Sequence, residues 1–337
     1  MSSTLTLTHT RASRSGLRPV DPKAVQEGIA LFFSLKAKYS NFTVVEKLDA
    51  RLCACNVRSE RQPISTVVVS LPTYLDWDTE CPINELEKAN NKNLPDRHKA
   101  VLQHGFFIER MLEMGIEVLA LPPSPERLEG VYTRDIAFVV GGQLIQANFT
   151  PFINDKASPR LAEENTVFGG LKPPPDVIIE GGNVVVDDEH VFVGIGDRTN
   201  EAALGWLQAV LGSSKQVVGL HLKPGVLHLD CVFLPIIPAN GAPSRALIHE
   251  PAFIKPAELS FVERLYGRIQ KVHPSEVPLL GLNAPCVDTH TRLVSQHAKK
   301  VISAFEEWGL KVVTVDMGEI IKAEGGPRCS TMPLVQA

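Results

Sequence analysis

The amino-acid sequence predicts an α/β fold made of similar modules, each with two strands, a helix and a further strand. Short β-rich runs alternate with amphipathic helices, and the grouping recurs roughly every 50 to 70 residues. The connecting loops are short, some are rich in proline, and none has the composition of a flexible linker. We therefore expect one domain over residues 61–337, preceded by an N-terminal tail and helix in residues 1–60 that are in part disordered.

The first predicted helix covers residues 21–38. Apolar residues recur there at helical spacing, and Asp21 and Pro22 suit an N-cap and a first helical turn. The other predicted helices cover residues 96–114, 200–211, 257–269 and 293–308. The predicted strands cover residues 66–71, 117–121, 136–140, 144–147, 177–180, 184–186, 191–195, 216–221, 231–235, 246–249 and 311–315.

Composition and charge exclude several classes of function. A hydrophobic content of 44% is enough for a large core, and a formal net charge of −4 argues against a general nucleic-acid surface. No apolar run approaches the roughly 20 residues that a membrane span requires. We therefore expect a small-molecule partner, with neither nucleic acid nor membrane, and a homo-oligomer is left open.

The cysteines and the N-terminal segment bear on the cellular compartment. None of the six cysteines forms the C-x-x-C spacing of a zinc site or redox pair, which favours a reducing, cytoplasmic setting. Residues 1–20 contain three arginines, many serines and threonines and no acid, as do many organelle transit peptides. We favour a frayed tail as the interpretation of this segment, and import into an organelle is the alternative.

Four polar clusters lie at the ends of predicted strands, where an α/β scaffold presents its reactive groups. They are Tyr132-Thr-Arg-Asp135, Glu180-Gly-Gly-Asn183, His228-Leu-Asp230 and Gly325-Gly-Pro-Arg-Cys-Ser330. Each alone is weak, because such short polar or glycine-rich stretches are usually turns and a single His or Cys is more often structural. Together they supply the residue types needed to attack a guanidinium group.

A guanidinium is a planar cation whose central carbon is a poor electrophile. Attack requires a strong, soft nucleophile, and a cysteine thiolate stabilised by nearby positive charge meets that need. Cys329 is the candidate, and Arg328 precedes it in the sequence. Two carboxylates, Asp135 and Asp230, can each accept two N–H bonds from the cation and fix its plane.

The leaving amine needs a proton, and a later water molecule needs a base. His228 can serve both purposes, although in a regular strand its side chain would point away from that of Asp230. Glu180 can hold the imidazole in its useful tautomer and raise its pKa. The sequence thus contains a complete set of groups for nucleophilic catalysis.

With these clusters, the sequence resembles the guanidine-modifying superfamily of arginine deiminases, dimethylarginine dimethylaminohydrolases and amidinotransferases. The resemblance extends over roughly residues 67–334 and is carried by YTRD, EGGN, HLD and GGPRC-x-x-MPL. It implies a five-bladed α/β propeller, the pentein fold, of ββαβ modules around a central active site. It also implies that neither a metal nor an organic cofactor is needed.

The resemblance assigns roles to the clustered residues, and arginine deiminases match them best. Cys329 corresponds to the nucleophile, His228 to the general acid and base, and Glu180 to its carboxylate partner. Asp135 and Asp230 fall on the two guanidinium-binding positions.

The same resemblance implies further contacts with the substrate. Arg198, in the motif from Gly194 to Thr199, falls on a position expected to bind the α-carboxylate, and Arg160 in an R-x-x-E match offers a second such arginine. The other residues assigned to substrate binding are Arg134, Asn84 and Leu71. The pair Ile83-Asn84 is similar to a segment of arginine dihydrolases whose asparagine supports a second hydrolysis, whereas a helix cap is the interpretation of Asn84 that we favour.

Three departures from the family pattern bear on the substrate. Asn183 stands where the family usually has Asp, and Asp197 where deiminases often carry Glu. The chain also has no room for the helical insertion of long arginine deiminases, and its length is closer to that of dimethylargininases.

We therefore expect a hydrolase acting on arginine or a methylated or related guanidino compound. It would pass through a covalent S-alkylthiouronium intermediate, release ammonia or an alkylamine, and give citrulline. Enzymatic alternatives are an amidinotransferase and an arginine dihydrolase giving ornithine. An arginine-binding protein without catalysis is the non-enzymatic alternative.

Overall fold

A computed structural model describes residues 16–48, 54–153, 156–157 and 169–336. The helices in these ranges are α1 (Pro22–Lys38), α2 (Glu85–Ala89), α3 (Arg97–Glu113), α4 (Thr133–Ile136), α5 (Ala202–Leu211), α6 (Pro256–Tyr266), α7 (Lys299–Glu307) and α8 (Gly318–Ile321). The strands there are β1 (Phe42–Val44), β2 (Asn56–Val57), β3 (Ile64–Ser70), β4 (Glu117–Leu121), β5 (Ala137–Val140), β6 (Gln143–Gln146), β7 (Phe152–Ile153), β8 (Lys156–Ala157), β9 (Val184–Asp187), β10 (His190–Ile195), β11 (Gln216–His221), β12 (Phe233–Ile236), β13 (Arg245–Ile248), β14 (Ile269–Lys271), β15 (Cys286–Asp288), β16 (Thr291–Ser295), β17 (Lys311–Val315) and β18 (Met332–Gln336).

The two long N-terminal helices begin where the sequence predicts. The carboxylate of Asp21 accepts the backbone N–H groups of Lys23 and Ala24, and that of Asp96 caps α3 through the N–H of Lys99. A side-chain oxygen satisfies N–H groups that have no partner within the helix, so an aspartate fixes each start. Helices α1 and α3 pack against each other.

Within the described residues, three segments share one construction. An antiparallel hairpin is followed by a helix and then by a strand that pairs in parallel with the second hairpin strand. The segments are β9-β10-α5-β11, β12-β13-α6-β14 and β15-β16-α7-β17. A helix provides the crossover that parallel pairing requires. The predicted ββαβ module is therefore confirmed for these segments.

A larger sheet joins the two ends of the described chain. Its strand order is β1-β4-β3-β18-β2. Strand β18 pairs antiparallel with β3, and β3 pairs in parallel with β4 after the crossover through α3. Strands β1 and β2 lie before residue 61 and pair with β4 and β18, so residues 42–44 and 56–57 contribute to the same sheet as the last strand.

The predicted helix 293–308 is wrong in its first part. Residues Thr291–Ser295 form β16, in which every residue is buried, and α7 begins only at Lys299. Val294 lies at helical spacing from Ala298 and Val301, so the apolar pattern of the helix continues into the strand. The prediction therefore begins the helix six residues before the start of α7 at Lys299.

Two other predicted elements are shorter than expected. Helix α6 ends at Tyr266 because Gly267 adopts a left-handed conformation with φ of 65°, which stops a helix. The predicted strand 177–180 is reduced to a bridge between Ile179 and Asn148. Among the described helices, none combines the length and apolar composition needed to cross a membrane.

The centre of the fold contains a buried arginine that joins three parts of the chain. The guanidinium of Arg328 donates to both carboxylate oxygens of Glu60 at 2.7 Å, to Asp230 at 2.6 Å and to the Val184 carbonyl at 2.7 Å. Charge-assisted bonds of this length are strong, and removing one member of a buried ion pair leaves the other charge uncompensated.

Replacing Glu60 with Gln should therefore destabilise the protein. We expect Glu60→Gln to lower the free energy of unfolding by about 3–5 kcal/mol, because Arg328 stays buried with one carboxylate fewer. Chemical denaturation with urea measures this change. Glu113→Gln is the matched control, since Glu113 pairs with Arg110 at the surface and should cost less than about 1 kcal/mol. Equal effects of the two substitutions would contradict the central role of Arg328.

Candidate active site

Cys329 lies in the turn between α8 and β18 and is 1% exposed. Its backbone N–H donates to the side-chain oxygen of Asn283 at 3.0 Å, and the amide Nδ2 of Asn283 donates to Cys329 Sγ at 3.0 Å. The carbonyl of Cys329 accepts the backbone N–H of Arg134 at 3.1 Å. The sulfur is therefore held in one position by bonds on both sides of its residue.

Asn283 is a site residue that the sequence analysis missed. Its Oδ1 also accepts the backbone N–H of Arg328 at 2.8 Å, so one side chain ties down two consecutive residues of the turn. A Cβ on Gly326 would lie 2.8 Å from the same oxygen, which explains why glycine stands there. No motif surrounds Asn283 in the sequence, so nothing local indicated its role.

His228 and Asp230 both face the site because the backbone bends between them. Residues Leu229–Cys231 form a 3₁₀ turn in place of the regular strand that would have separated the two side chains. Asp230 Oδ2 lies 3.5 Å from Cys329 Sγ. The predicted strand 231–235 begins at Phe233, after this turn.

The imidazole of His228 is buried between two carboxylates. Its Nε2 lies 2.9 Å from Glu180 Oε2, and its Nδ1 lies 3.6 Å from Asp135 Oδ1. Burial alone would lower the pKa of His228, but the charge of Asp135 and the hydrogen bond to Glu180 outweigh it and raise that pKa. The histidine is thus biased toward its protonated form, as a general acid requires.

The two glycines of the EGGN cluster bring these groups together. A Cβ on Gly181 would lie 2.0 Å from the Arg134 carbonyl oxygen, and one on Gly182 would lie 2.4 Å from His228 Nδ1 and 2.9 Å from Asp135 Oδ1. Any side chain at either position would push α4 or the imidazole away. The glycine pair therefore sets the spacing between Glu180, His228 and Asp135.

Asn183, the departure from the family pattern, links two of the clusters. Its Oδ1 accepts the backbone N–H of Leu229 at 2.9 Å, and its Nδ2 donates to the hydroxyl of Thr199 at 3.0 Å. An amide can do both, whereas a carboxylate has no donor. Asn183 thus anchors the turn that carries His228 and Asp230.

The thiol of Cys329 is in an environment that resists ionisation. A hydrogen bond from the Cys231 thiol favours the thiolate, but burial and the charges of Asp230 and Asp135 outweigh it and raise the pKa of Cys329. Arg328 lies next in sequence, yet its charge is engaged by Glu60 and Asp230. The expected activation of the thiol by Arg328 is therefore offset by the carboxylates.

Arg198 lines a cavity of about 320 Å³ beside this cluster, together with Asn84 and Asp197. Its Nη2 donates to the carbonyl of Ile83 at 2.6 Å, and its Nη1 lies 3.6 Å from Glu180 Oε1. Among the described residues, no group forms a hydrogen bond with this Nη1. A buried guanidinium with a donor to spare can bind a carboxylate from the cavity.

Asn84 is the N-cap of α2, so the interpretation that we favoured is confirmed. Its Oδ1 accepts the Glu87 N–H at 2.8 Å, and its Nδ2 donates to Glu87 Oε1 at 2.9 Å and to the Ala323 carbonyl at 3.2 Å.

The remaining predicted substrate residues are buried in the protein interior or lie outside the described ranges. Arg134 is buried and donates to the Thr331 carbonyl at 3.1 Å, and Leu71 is part of the hydrophobic core. Arg160 lies outside the described residues. Substrate binding by these three residues stays a prediction.

The cluster combines a sulfur, an imidazole paired with a carboxylate, and two further carboxylates around one buried point. Such an arrangement can hold a cation between Asp135 and Asp230 and present its central carbon to Cys329. In the part of the chain that the structure describes, no group of His, Cys, Asp and Glu side chains is arranged to hold a metal ion.

Comparisons with known proteins give a consistent picture. No family model matches the chain. The uncharacterized protein YkgA of Bacillus subtilis is 30% identical over 286 residues, which cover 83% of this chain and 94% of YkgA. An arginine deiminase of Listeria monocytogenes is 25% identical over an alignment of 374 residues, covering 90% of this chain and 86% of the deiminase.

A solved structure shows a similar fold. The N-terminal domain of ArgZ, an arginine dihydrolase from cyanobacteria, matches with a TM-score of 0.67 at 20% identity, covering 80% of this chain and 98% of that domain. Because sequence relatives and structural neighbours point to one group of proteins, the chain belongs to the guanidine-modifying, or pentein, superfamily.

Proposed function

We propose that this protein is a hydrolase that attacks the guanidinium carbon of arginine, or of a methylated or related guanidino compound, through a covalent intermediate on Cys329. One observation carries the proposal: Cys329 Sγ lies 3.5 Å from Asp230, while His228, bonded to Glu180, lies 3.6 Å from Asp135. Nucleophile, acid and cation-binding carboxylates thus converge. The similarity to an arginine deiminase of Listeria supports the same chemistry.

Substrate binding would activate the nucleophile. A guanidinium placed between Asp135 and Asp230 neutralises the charges that raise the pKa of the Cys329 thiol. The bound cation also stabilises the thiolate directly, since opposite charges a few ångströms apart attract strongly in a buried site. The thiol therefore ionises when the molecule that it attacks is in place.

The reaction then proceeds in two displacements. The thiolate of Cys329 forms a bond to the guanidinium carbon, and the tetrahedral adduct breaks its C–N bond as protonated His228 donates a proton to the departing amine. Ammonia or an alkylamine leaves, and a thiouronium remains on the sulfur. Neutral His228 removes a proton from water, whose oxygen attacks the same carbon. The adduct then loses its hydroxyl proton to solvent as the C–S bond breaks, which gives citrulline, the thiolate and protonated His228.

The α-carboxylate of an amino-acid substrate would suit Arg198. Among the described residues its Nη1 has no hydrogen-bond partner, and an α-carboxylate in the cavity that Arg198 lines would supply the acceptor. We propose that Arg198 selects guanidino compounds that carry a carboxylate. The exposed residues Glu85 and Lys88 line the opening of the same cavity.

A single hydrolysis fits the contacts of Asn84 better than the dihydrolase alternative does. Both atoms of its amide group already bond to Glu87 and Ala323, and the side chain is buried. An amide engaged in capping a helix has little capacity left to position a second water. Citrulline is therefore the proposed product, with transfer of the amidino group to an amine as the competing outcome.

The complete fold would be a five-bladed propeller. Hairpin β5-β6 lacks a third strand of its own among the described elements, but Leu171 bridges Ile145 of β6 in parallel. A parallel partner at this position is what the third strand of a ββαβ module provides. We propose that β5, β6 and Leu171 belong to the fifth module, beside the three regular ones and the one closed by β18.

Substitution of Cys329 tests its role as the nucleophile. Cys329→Ser should bind arginine but lower kcat by at least about 10³-fold, because a serine hydroxyl is a far weaker nucleophile at neutral pH. Citrulline formation in a colorimetric assay measures turnover, and calorimetry measures binding. The matched control is Cys55→Ser, a half-buried cysteine that should keep normal turnover. Normal turnover by Cys329→Ser would contradict the mechanism.

A panel of substrates identifies the reaction. Arginine, methylated arginines, agmatine, citrulline and guanidinoacetate are incubated with the protein, and the products are identified by mass spectrometry. We expect citrulline from arginine or a methylated arginine, and much weaker turnover of agmatine because it lacks the carboxylate for Arg198. Ornithine, or an amidino group found on an added amine, would favour the dihydrolase or transferase alternative.

Removing the charge of Asp135 should lower the pKa of the Cys329 thiol. Because the charge of Asp135 raises the pKa of Cys329, Asp135→Asn should allow the thiol to ionise about one pH unit lower or more. Thiolate absorbance near 240 nm, recorded against pH and corrected with Cys329→Ser, measures the change. Asp316→Asn, at an exposed distant carboxylate, should leave the titration unchanged. A thiol that titrated at higher pH in Asp135→Asn would contradict the electrostatic account.

A further inference from the structure

Glu324 occupies a backbone position that does not suit it. It lies three residues after the end of α8 and has a φ of 63°, in the left-handed region that glycine adopts without strain. Its N–H donates to the Ile321 carbonyl at 2.8 Å and so closes the end of the helix. Glycine could make that bond as well, so the backbone gives no reason for a glutamate here. The side chain itself must account for the residue.

The carboxyl group of Glu324 faces a cavity of about 430 Å³. Cys231, whose thiol contacts the nucleophile, and Leu227 line the same cavity. In the described part of the chain, the backbone N–H of Leu86 is the one hydrogen-bond donor to this carboxyl group, at 3.3 Å, and no lysine or arginine forms an ion pair with it. The charged form of a largely buried carboxyl group with so few donors is stabilised when a cation enters the cavity.

Glu324 also lies within electrostatic reach of the catalytic groups. Burial raises its pKa to about 7, while the positive charges of His228 and Arg198 act in the opposite direction. Glu85 and residues 225–227 line both this cavity and the one lined by Arg198. The two cavities therefore adjoin, with the carboxyl group of Glu324 on one and the guanidinium of Arg198 on the other.

An α-amino acid carries an ammonium and a carboxylate on the same carbon. Asp135 and Asp230 already provide two carboxylates for the guanidinium, and Arg198 provides a partner for the α-carboxylate. The ammonium is the charge of arginine that has no partner in the proposed function. Resting on that function, we propose that Glu324 is a specificity-determining residue that binds the α-ammonium group of the substrate.

This assignment predicts a difference between two substrates. Arginine and 5-guanidinovaleric acid differ only in the α-amino group. Glu324→Gln should raise KM for arginine about 10-fold or more, since a neutral amide loses the charge-assisted bond, while kcat changes little. The kinetic constants for 5-guanidinovaleric acid should be the same in the wild type and the variant.

Two further variants separate binding from folding and from general charge. Glu324→Gly should fold with unchanged or higher thermal stability, because glycine suits a φ of 63°, and should show the same loss for arginine. Glu113→Gln removes an exposed carboxylate that pairs with Arg110 at the surface and lines neither cavity, and it should affect neither substrate. Calorimetry in a Cys329→Ser background measures the affinity for both compounds without turnover.

The possible results are distinct. Equal losses for arginine and 5-guanidinovaleric acid would overturn the assignment and indicate that Glu324 acts through the structure of the site. Unchanged kinetics and affinity for arginine in Glu324→Gln would also overturn it. If the wild type turned over neither compound, the proposed function would fail, and the calorimetric comparison would still show whether Glu324 recognises the ammonium group.

Discussion

The buried guanidinium of Arg328 is the interaction on which the rest of the site depends. It holds Glu60 with two parallel bonds, Asp230 with a third and the Val184 carbonyl with a fourth, and so joins the first sheet, the β9 strand and the turn after His228. The nucleophile is the next residue in the chain. The position of Cys329 relative to Asp230 is therefore fixed by the same arginine that holds the surrounding sheets together.

The charges around Arg328 explain how Cys329, a thiol with a raised pKa, can still serve as a nucleophile. Glu60 and Asp230 offset the charge of Arg328, and Asp135 adds a further negative charge, so that the site attracts a cation. The same carboxylates keep the Cys329 thiol protonated until that cation binds. Since Glu180 and Asp135 raise the pKa of His228, the acid needed for the leaving group is charged when the substrate arrives. Recognition and activation thus depend on one set of carboxylates.

Local signals account for the parts of the fold that the sequence predicted well. Asp21 and Asp96 cap helices through bonds that span only a few residues, so their effect is visible in the sequence. Part of the strand 291–295 is predicted as helix because Val294 continues the apolar spacing of α7, whereas the burial of polar residues such as Arg292 comes from distant packing. Asn283 and Glu324 were missed for a related reason: neither lies in a motif, and each gains its role from atoms more than 40 residues away or from a cavity.

The sequence alone determined which chemistry was available, because nucleophile, base and paired carboxylates are residue types that can be read in four short clusters. The tertiary structure decided which of them meet. It bent the backbone at Leu229–Cys231 so that His228 and Asp230 face one side, used two glycines to bring Glu180 and Asp135 to the imidazole, and placed Arg134 and Leu71 within the protein interior. Side-chain direction and burial arise from contacts between distant segments, and a linear pattern does not contain them.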